Sequence, residues 1–156
     1  MHFRLRSATA ADASAVAQVF SASYRLLSFL PRLHTVDEDR RFIAEVILRS
    51  CDVTVAEDDS GVVAFLAREA EEIRLLYTRP DRIGRGAGTL LVEAAKASGT
   101  AALELWCFEA NARGRRFYEA RGFRPILRTD GSHNEERQPD IRYRWEVRPN
   151  LKTLPG

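Results

Sequence analysis

The run Leu76-Tyr77-Thr78-Arg79-Pro80-Asp81-Arg82-Ile83-Gly84-Arg85-Gly86-Ala87-Gly88-Thr89-Leu90-Leu91 constrains this chain more than any other stretch. It reads as a strand, a sharp glycine-rich turn and the opening of a helix. Three alternate glycines at a helix start leave backbone N–H groups free and let a ligand approach closely. Such a helix end attracts anions, phosphates above all. Arg79, Arg82 and Arg85 add side-chain charge to the same turn. The turn is therefore expected to hold a phosphate-bearing cofactor.

The elements around it alternate between strand and helix patterns. Phe3 to Arg6 alternates as a first strand. Val16, Val19, Phe20, Tyr24 and Leu27 recur at helical spacing until Pro31 interrupts them. Asp37, Glu38 and Asp39 open a second helix, whose expected apolar face is Phe42, Ile43, Val46 and Ile47. Val53–Ala56 and Val62–Ala67 read as a hairpin around Glu57–Gly61. The second of these strands is apolar on both faces and so belongs at the centre of a sheet. Strands follow at Ile73–Thr78, Leu103–Phe108, Phe123–Leu127 and Ile141–Val147. Helices are expected from the glycine turn to Gly99, and from Asn111 to about Arg121 with Gly122 as the stop. This order predicts an α/β domain with a mixed sheet.

With 156 residues the chain suits one domain, residues 1–156, with one core. A composition 45% hydrophobic and 29% charged is that of an ordinary globular protein. No apolar run approaches the ~20 residues of a membrane span, so no membrane partner is expected. Met1 to Arg6 has no apolar block behind it and does not read as a signal peptide, which favours a cytoplasmic location. Cys51 and Cys107 fit neither a metal spacing nor a disulfide framework, so no metal is expected. A net charge of only +2, without aromatic residues interleaved along a basic face, argues against nucleic acid.

A dinucleotide site wants G-x-G-x-x-G and an acid about 20 residues on, at the end of the next strand. Gly84, Gly86 and Gly88 instead run G-x-G-x-G, and Glu104 lies near the start of its strand. The turn resembles the coenzyme A signature of the GNAT N-acetyltransferases. That signature is Gln or Arg, two residues, Gly, one residue, then Gly or Ala, and it aligns on Ile83-Gly84-Arg85-Gly86-Ala87-Gly88. A second family signature follows in Leu105-Trp106-Cys107-Phe108-Glu109-Ala110-Asn111, then Phe117-Tyr118-Glu119-Ala120-Arg121-Gly122-Phe123. Ile83 departs from the family's Gln or Arg; backbone amides carry most phosphate binding in such a turn, with Arg82 or Arg85 as substitutes for the missing polar side chain. Leu33-His34-Thr35, the Asn134-Glu135-Glu136 and Pro139-Asp140 steps, and Tyr143 with Trp145 resemble an uncharacterised subgroup of the family.

The resemblance implies a GNAT fold, a mostly antiparallel mixed sheet of about seven strands flanked by about four helices. It implies acetyl-CoA as cofactor and a small-molecule or peptide amine as acceptor, attacking the thioester directly. A homodimer is among the assemblies it leaves open, and a non-catalytic acyl-CoA-binding module is the alternative activity. By the resemblance, the amides of Gly84, Arg85, Gly86, Ala87, Gly88 and Thr89 hold the pyrophosphate. Leu76, Tyr77 and Thr78 pair their backbone with the pantetheine arm, which requires their strand to splay from the one at Leu103 to Phe108. Asn111 reaches the same arm, and Tyr118 is the acid that protonates the departing thiolate. A backbone amide, that of Thr78 among them, serves the oxyanion. Glu71, Glu72 and His34 are the candidate bases. Asp130, Glu135, Glu136 and Asp140, in a polar segment between the last two strands, are expected to face a cationic amine. One of Arg113, Arg115, Arg116 and Arg121 is expected to reach the cofactor's 3′-phosphate.

Overall fold

The computed structural model describes residues 2–148. Seven strands form one sheet: β1 (Arg4–Ser7), β2 (Asp52–Asp58), β3 (Gly61–Glu69), β4 (Glu72–Thr78), β5 (Ala102–Phe108), β6 (Arg124–Thr129) and β7 (Asp140–Glu146). Their order is β1-β2-β3-β4-β5-β7-β6. All neighbours are antiparallel except β4 and β5. The mixed, mostly antiparallel sheet expected from the sequence is thus present. As its apolar pattern implied, β3 is central, and Val63 to Ala67 are buried.

Helices cover both faces. On one lie α1 (Ala13–Tyr24) and a continuous rod made of α2 (Val36–Phe42), a π turn (Ile43–Ile47) and α3 (Leu48–Ser50). Val16, Val19, Ile43 and Ile47 pack there against Val55 and Phe65. On the other lie α4 (Ala87–Lys96) and α5 (Ala112–Ala120), with Leu91, Val92 and Phe123 buried against Leu103, Leu105 and Tyr143. The rod starts where Thr35 caps it: Glu38 N–H donates to Thr35 Oγ1 (3.1 Å), and Thr35 N–H donates to the Glu38 carboxylate (2.9 Å).

Two helix expectations are corrected. Leu27 is not on α1, which ends at Tyr24 and continues as a turn with Leu26 N–H on Ser23 O and Leu27 N–H on Tyr24 O. Val46 is not in the core: the π turn widens the spiral, buries Ile43 and Ile47, and leaves Val46 41% exposed.

The decisive feature is the joint between β4 and β5. They pair only at Glu72↔Glu104, with Glu104 N–H on Glu71 O (2.8 Å). Beyond it they diverge. Arg74 is an extra residue in β4, since Ala67 faces Leu75 while Arg68 faces Ile73. Such a bulge bends its strand. An acid–base cluster closes the base of the fork. Arg142 reaches Glu72 (2.6 Å) and Glu104 (3.0 Å), and Arg144 also bonds Glu104.

Candidate active site

The fork opens into a cleft of about 1240 Å³ on the α4–α5 side. The glycine turn forms one wall. Gly84 and Gly86 sit at φ +80° and +96°, where a side chain would strain the backbone, and the space where their Cβ atoms would be is open. Gly86 is also the residue that begins α4, so the first amides of that helix face a roomy cleft. This cradle fits a phosphate.

Of the residues expected to hold a cofactor, Leu76, Tyr77, Thr78, Gly84, Gly86, Ala87, Gly88, Thr89, Asn111 and Tyr118 line this one cleft. Arg85 does not; it is exposed. The side-chain charge expected at the turn is largely spent. Arg79 holds Asp81 (2.6 Å), while Arg82 holds Asp58 (2.9 Å) and Asp81 (2.8 Å). Arg82 lines the cleft with its charge so paired, and from α5 and the residue that ends it further cation side chains reach the cleft. Arg113, Arg116 and Arg121 line it, whereas Arg115 turns away to Tyr143 Oη (3.4 Å). Arg121 stacks on the Phe117 ring (3.9 Å) and donates to Thr89 Oγ1 (3.1 Å), tying α5 to the start of α4.

The β4 edge facing the gap is free for pairing. Arg79 N–H is given to Val63 O on β3, so by strand alternation Thr78 N–H points the other way, toward β5. Thr78 O already accepts Ser23 Oγ (2.6 Å). Ser23 and the Leu26–Phe29 turn also line the cleft. Sequence reading missed them because their pattern continues the helix; Pro31 was the one available signal.

Tyr118 stands on α5 among Phe117, Phe123 and Tyr143, at ring distances of 5.2, 5.7 and 6.2 Å. Burial, with Cys107 and Tyr77 nearby, pushes its phenol well above the ordinary value of 10. Its hydroxyl has no hydrogen-bond partner among the described residues. Burial likewise pushes the Cys107 thiol up to about 12, which leaves it a poor nucleophile. Asn111 caps α5, its Oδ1 accepting Gly114 N–H (3.0 Å). A Cβ on residue 114 would meet Asn111 at 2.6 Å, so Gly114 makes that cap achievable.

A second cavity of about 770 Å³ lies on the opposite face, between α1, the rod and the fork. Tyr77 lines both cavities. Glu135 and Glu136 reach the second from the segment between β6 and β7. Gly131 makes that segment's turn at φ +87°, where a Cβ would lie 2.4 Å from the Gln138 backbone. His133 packs on Trp106 (4.8 Å) and reaches Asp140 (2.9 Å). Tyr24 lines this cavity too. Burial, then Glu136, Glu135 and Asp39, push its phenol up to about 12.

Three expected site residues are placed otherwise. Glu72 belongs to the base of the fork, held by Arg142 and lining neither cavity. Asp130 lies outside both cavities, its carboxylate on Ser132 N–H (2.9 Å). Asp140 is buried and bonds Thr129, His133 and Asn134 within its own loop. His34 does line the second cavity, with Nε2 2.7 Å from Glu135 and Nδ1 3.7 Å from Glu38. Burial alone would lower its pKa, but the Glu135 hydrogen bond and the two carboxylates raise it. With a carboxylate at each ring nitrogen, His34 ties the loop before the rod to the segment after β6.

Residues 49–125 match the acetyltransferase (GNAT) domain. The chain is 36% identical over 91 residues to the uncharacterised N-acetyltransferase MJ1207 of Methanocaldococcus jannaschii. That match covers 56% of this chain and 40% of the relative. The fold is similar to that of the PaiA N-acetyltransferase of Thermoplasma acidophilum, solved in complex with coenzyme A. The TM-score is 0.75 at 18% identity, over 94% of this chain and 100% of that one. It is also similar to the GCN5-related N-acetyltransferase of Rhodopseudomonas palustris, with a TM-score of 0.73 at 22% identity, over 94% and 97%. The forked sheet, the glycine turn and the domain match agree: the chain has the GNAT fold, and residues 49–125 of it match the GNAT acetyltransferase domain.

Proposed function

We propose that this protein transfers an acetyl group from acetyl-CoA to a primary amine by direct attack on the thioester. The observation that carries the reading is the fork. One cavity bears a phosphate cradle and Tyr118, another bears carboxylates, and the two meet at Tyr77. A structural neighbour was solved with coenzyme A.

Acetyl-CoA supplies an activated acyl group and a thiol leaving group. The amides from Gly84 to Thr89 bind its pyrophosphate, with Arg113 and Arg116 as further phosphate ligands. The open edge of β4 orients the pantetheine arm as an added strand, and Asn111 faces the same arm. Thr78 N–H stabilises the developing oxyanion. Glu136 is half-buried in the acceptor cavity and forms no ion pair among the described residues. It holds the ammonium and takes its proton or passes it to water. The C–N bond then forms and the C–S bond breaks. Tyr118 gives its phenolic proton to the sulfur and is reprotonated with the proton shed by the amine.

Thermal shifts with acetyl-CoA, CoA, NADH and NADPH test the cofactor. A ligand at 100 times its Kd stabilises by about 2.7 kcal/mol, or roughly 5–10 °C here. Stabilisation by the two coenzyme A species alone, followed by amine-dependent thiol release, supports the proposal. Binding without thiol release from any amine would leave a binding module, and a response to nicotinamide cofactors alone would overturn the cofactor.

A further inference from the structure

The acceptor cavity carries charge of both signs. Arg25, Arg32, Arg41 and Arg74 line it together with five carboxylates, those of Glu38, Asp39, Glu45, Glu135 and Glu136. Yet among the described residues none of these four arginines forms an ion pair. Arginines that brace the fold do pair: Arg6, Arg82, Arg142 and Arg144 each hold a carboxylate, and Arg40, the neighbour of Arg41, reaches Asp37 (3.6 Å). Arg74 contacts only neutral partners, Ser50 Oγ at 3.5 Å and Cys51 Sγ at 3.8 Å. On the acid side, Asp39 takes a neutral hydroxyl from Ser21 (2.6 Å), and Glu45 and Glu136 have no ion pair among the described residues.

Two backbone irregularities, a bulge and the π turn, meet at this cavity. Arg74 is the bulged residue of β4, and the π turn begins directly after Arg41 and Phe42 and adds Glu45 and Val46 to the wall. Bulges re-aim side chains, and π turns concentrate at functional sites. A purely cationic amine would satisfy the acids and leave the arginines unused. A ligand with both signs satisfies both sets.

Resting on the acetyltransferase reading, we propose that the acceptor is a zwitterionic amine, which carries a carboxylate or an equivalent anion besides the amine that is acetylated. Glu136 and Asp39, beside Tyr24 and Tyr77, receive the ammonium next to the fork. Arg41 and Arg74 receive the anion, which suits the forked donors of a guanidinium. An amino acid or a short peptide with a free carboxylate has this chemistry, and a cavity of about 770 Å³ has room for either.

The test uses the full chain, acetyl-CoA and matched pairs of substrates. A panel of amino acids and dipeptides is compared with the corresponding methyl esters, which keep the amine and lose the anion. Thiol release should favour the free acids by at least about 30-fold in kcat/KM, and Arg41→Gln with Arg74→Gln should bring that ratio close to one. Circular dichroism and the acetyl-CoA thermal shift check that the variant is folded and binds cofactor. Esters, or amines lacking any anion, turned over as well as the acids would overturn the inference and leave the acetyltransferase reading standing. An unchanged acid-to-ester ratio in the double variant would remove the two arginines and overturn it as stated. No thiol release from any amine would overturn both.

Discussion

The two cavities that meet at the fork are built in opposite ways. The wall proposed to cradle phosphate comes from one segment, Leu76 to Thr89, and would work mainly through its backbone. The proposed acceptor cavity draws side chains from α1, the rod, β4, β5 and the segment after β6. Backbone recognition demands particular φ values and hence particular residues; side-chain recognition tolerates many sequences. The first half of the site is therefore common property of a fold, whereas the second is where one member differs from another.

Substitutions should break the two halves in different measurements. Gly86→Glu should have the largest effect, because it places a side chain at φ +96° and a negative charge in an anion site. Acetyl-CoA binding should fall at least about 100-fold, so the thermal shift at ordinary ligand concentrations should vanish. Normal binding would move the phosphate elsewhere. Tyr118→Phe should lower kcat about 100-fold with little change in cofactor affinity, as expected for loss of a general acid. Burial raises this phenol above 10, so it stays protonated while rising pH frees the amine. Wild-type kcat should accordingly rise with pH and show no basic fall below pH 10; full activity in the variant would remove Tyr118 from the reaction.

Smaller effects should appear on the acceptor side. Glu136→Gln should raise the amine KM roughly 10-fold, about 1.4 kcal/mol, and leave acetyl-CoA binding alone. An unchanged KM and kcat would show that the amine binds elsewhere. Asp140→Ala should cost about 1–3 kcal/mol by leaving polar groups of its loop unpaired, read as a lower Tm. His34→Ala should be the mildest, below about 1 kcal/mol, because the His34 pairs are exposed. The folded histidine has a raised pKa, so its stabilisation is complete below the unfolded value near 6.5 and is lost as pH rises through the folded value. The stability difference between variant and wild type should therefore shrink from pH 5 to pH 8.

The same contrast explains what was legible in the sequence. The glycine turn, the Asn111 cap and the succession of strands and helices along the chain could be read because periodicity and turn chemistry are local. Tyr118 was identifiable only through its surrounding signature. The surroundings of Glu72 and His34 were not legible for a shared reason: they are set by Arg142 and Glu135, which lie far along the chain. Asp140 looked like one more acid of a polar loop, yet its neighbours Thr129, His133 and Asn134 turn it into a buried anchor. The π turn was invisible because Phe42, Ile43, Val46 and Ile47 fit an ordinary helical stripe.

The single β4–β5 contact has a mechanical meaning. The sheet is two sets of strands, β1 to β4 and β5 to β7, joined by one pairing that would act as a fulcrum at Glu72 and Glu104. From that fulcrum to Thr78 the lever arm is roughly 20 Å, so a rotation of about 5° carries the strand tip nearly 2 Å. A displacement of about 1 Å between reacting groups can cost 100-fold in rate. Arg142 braces Glu72 and Glu104 at this one joint, so a substitution there, far from the proposed chemistry, would be magnified at the Thr78 end of the strand.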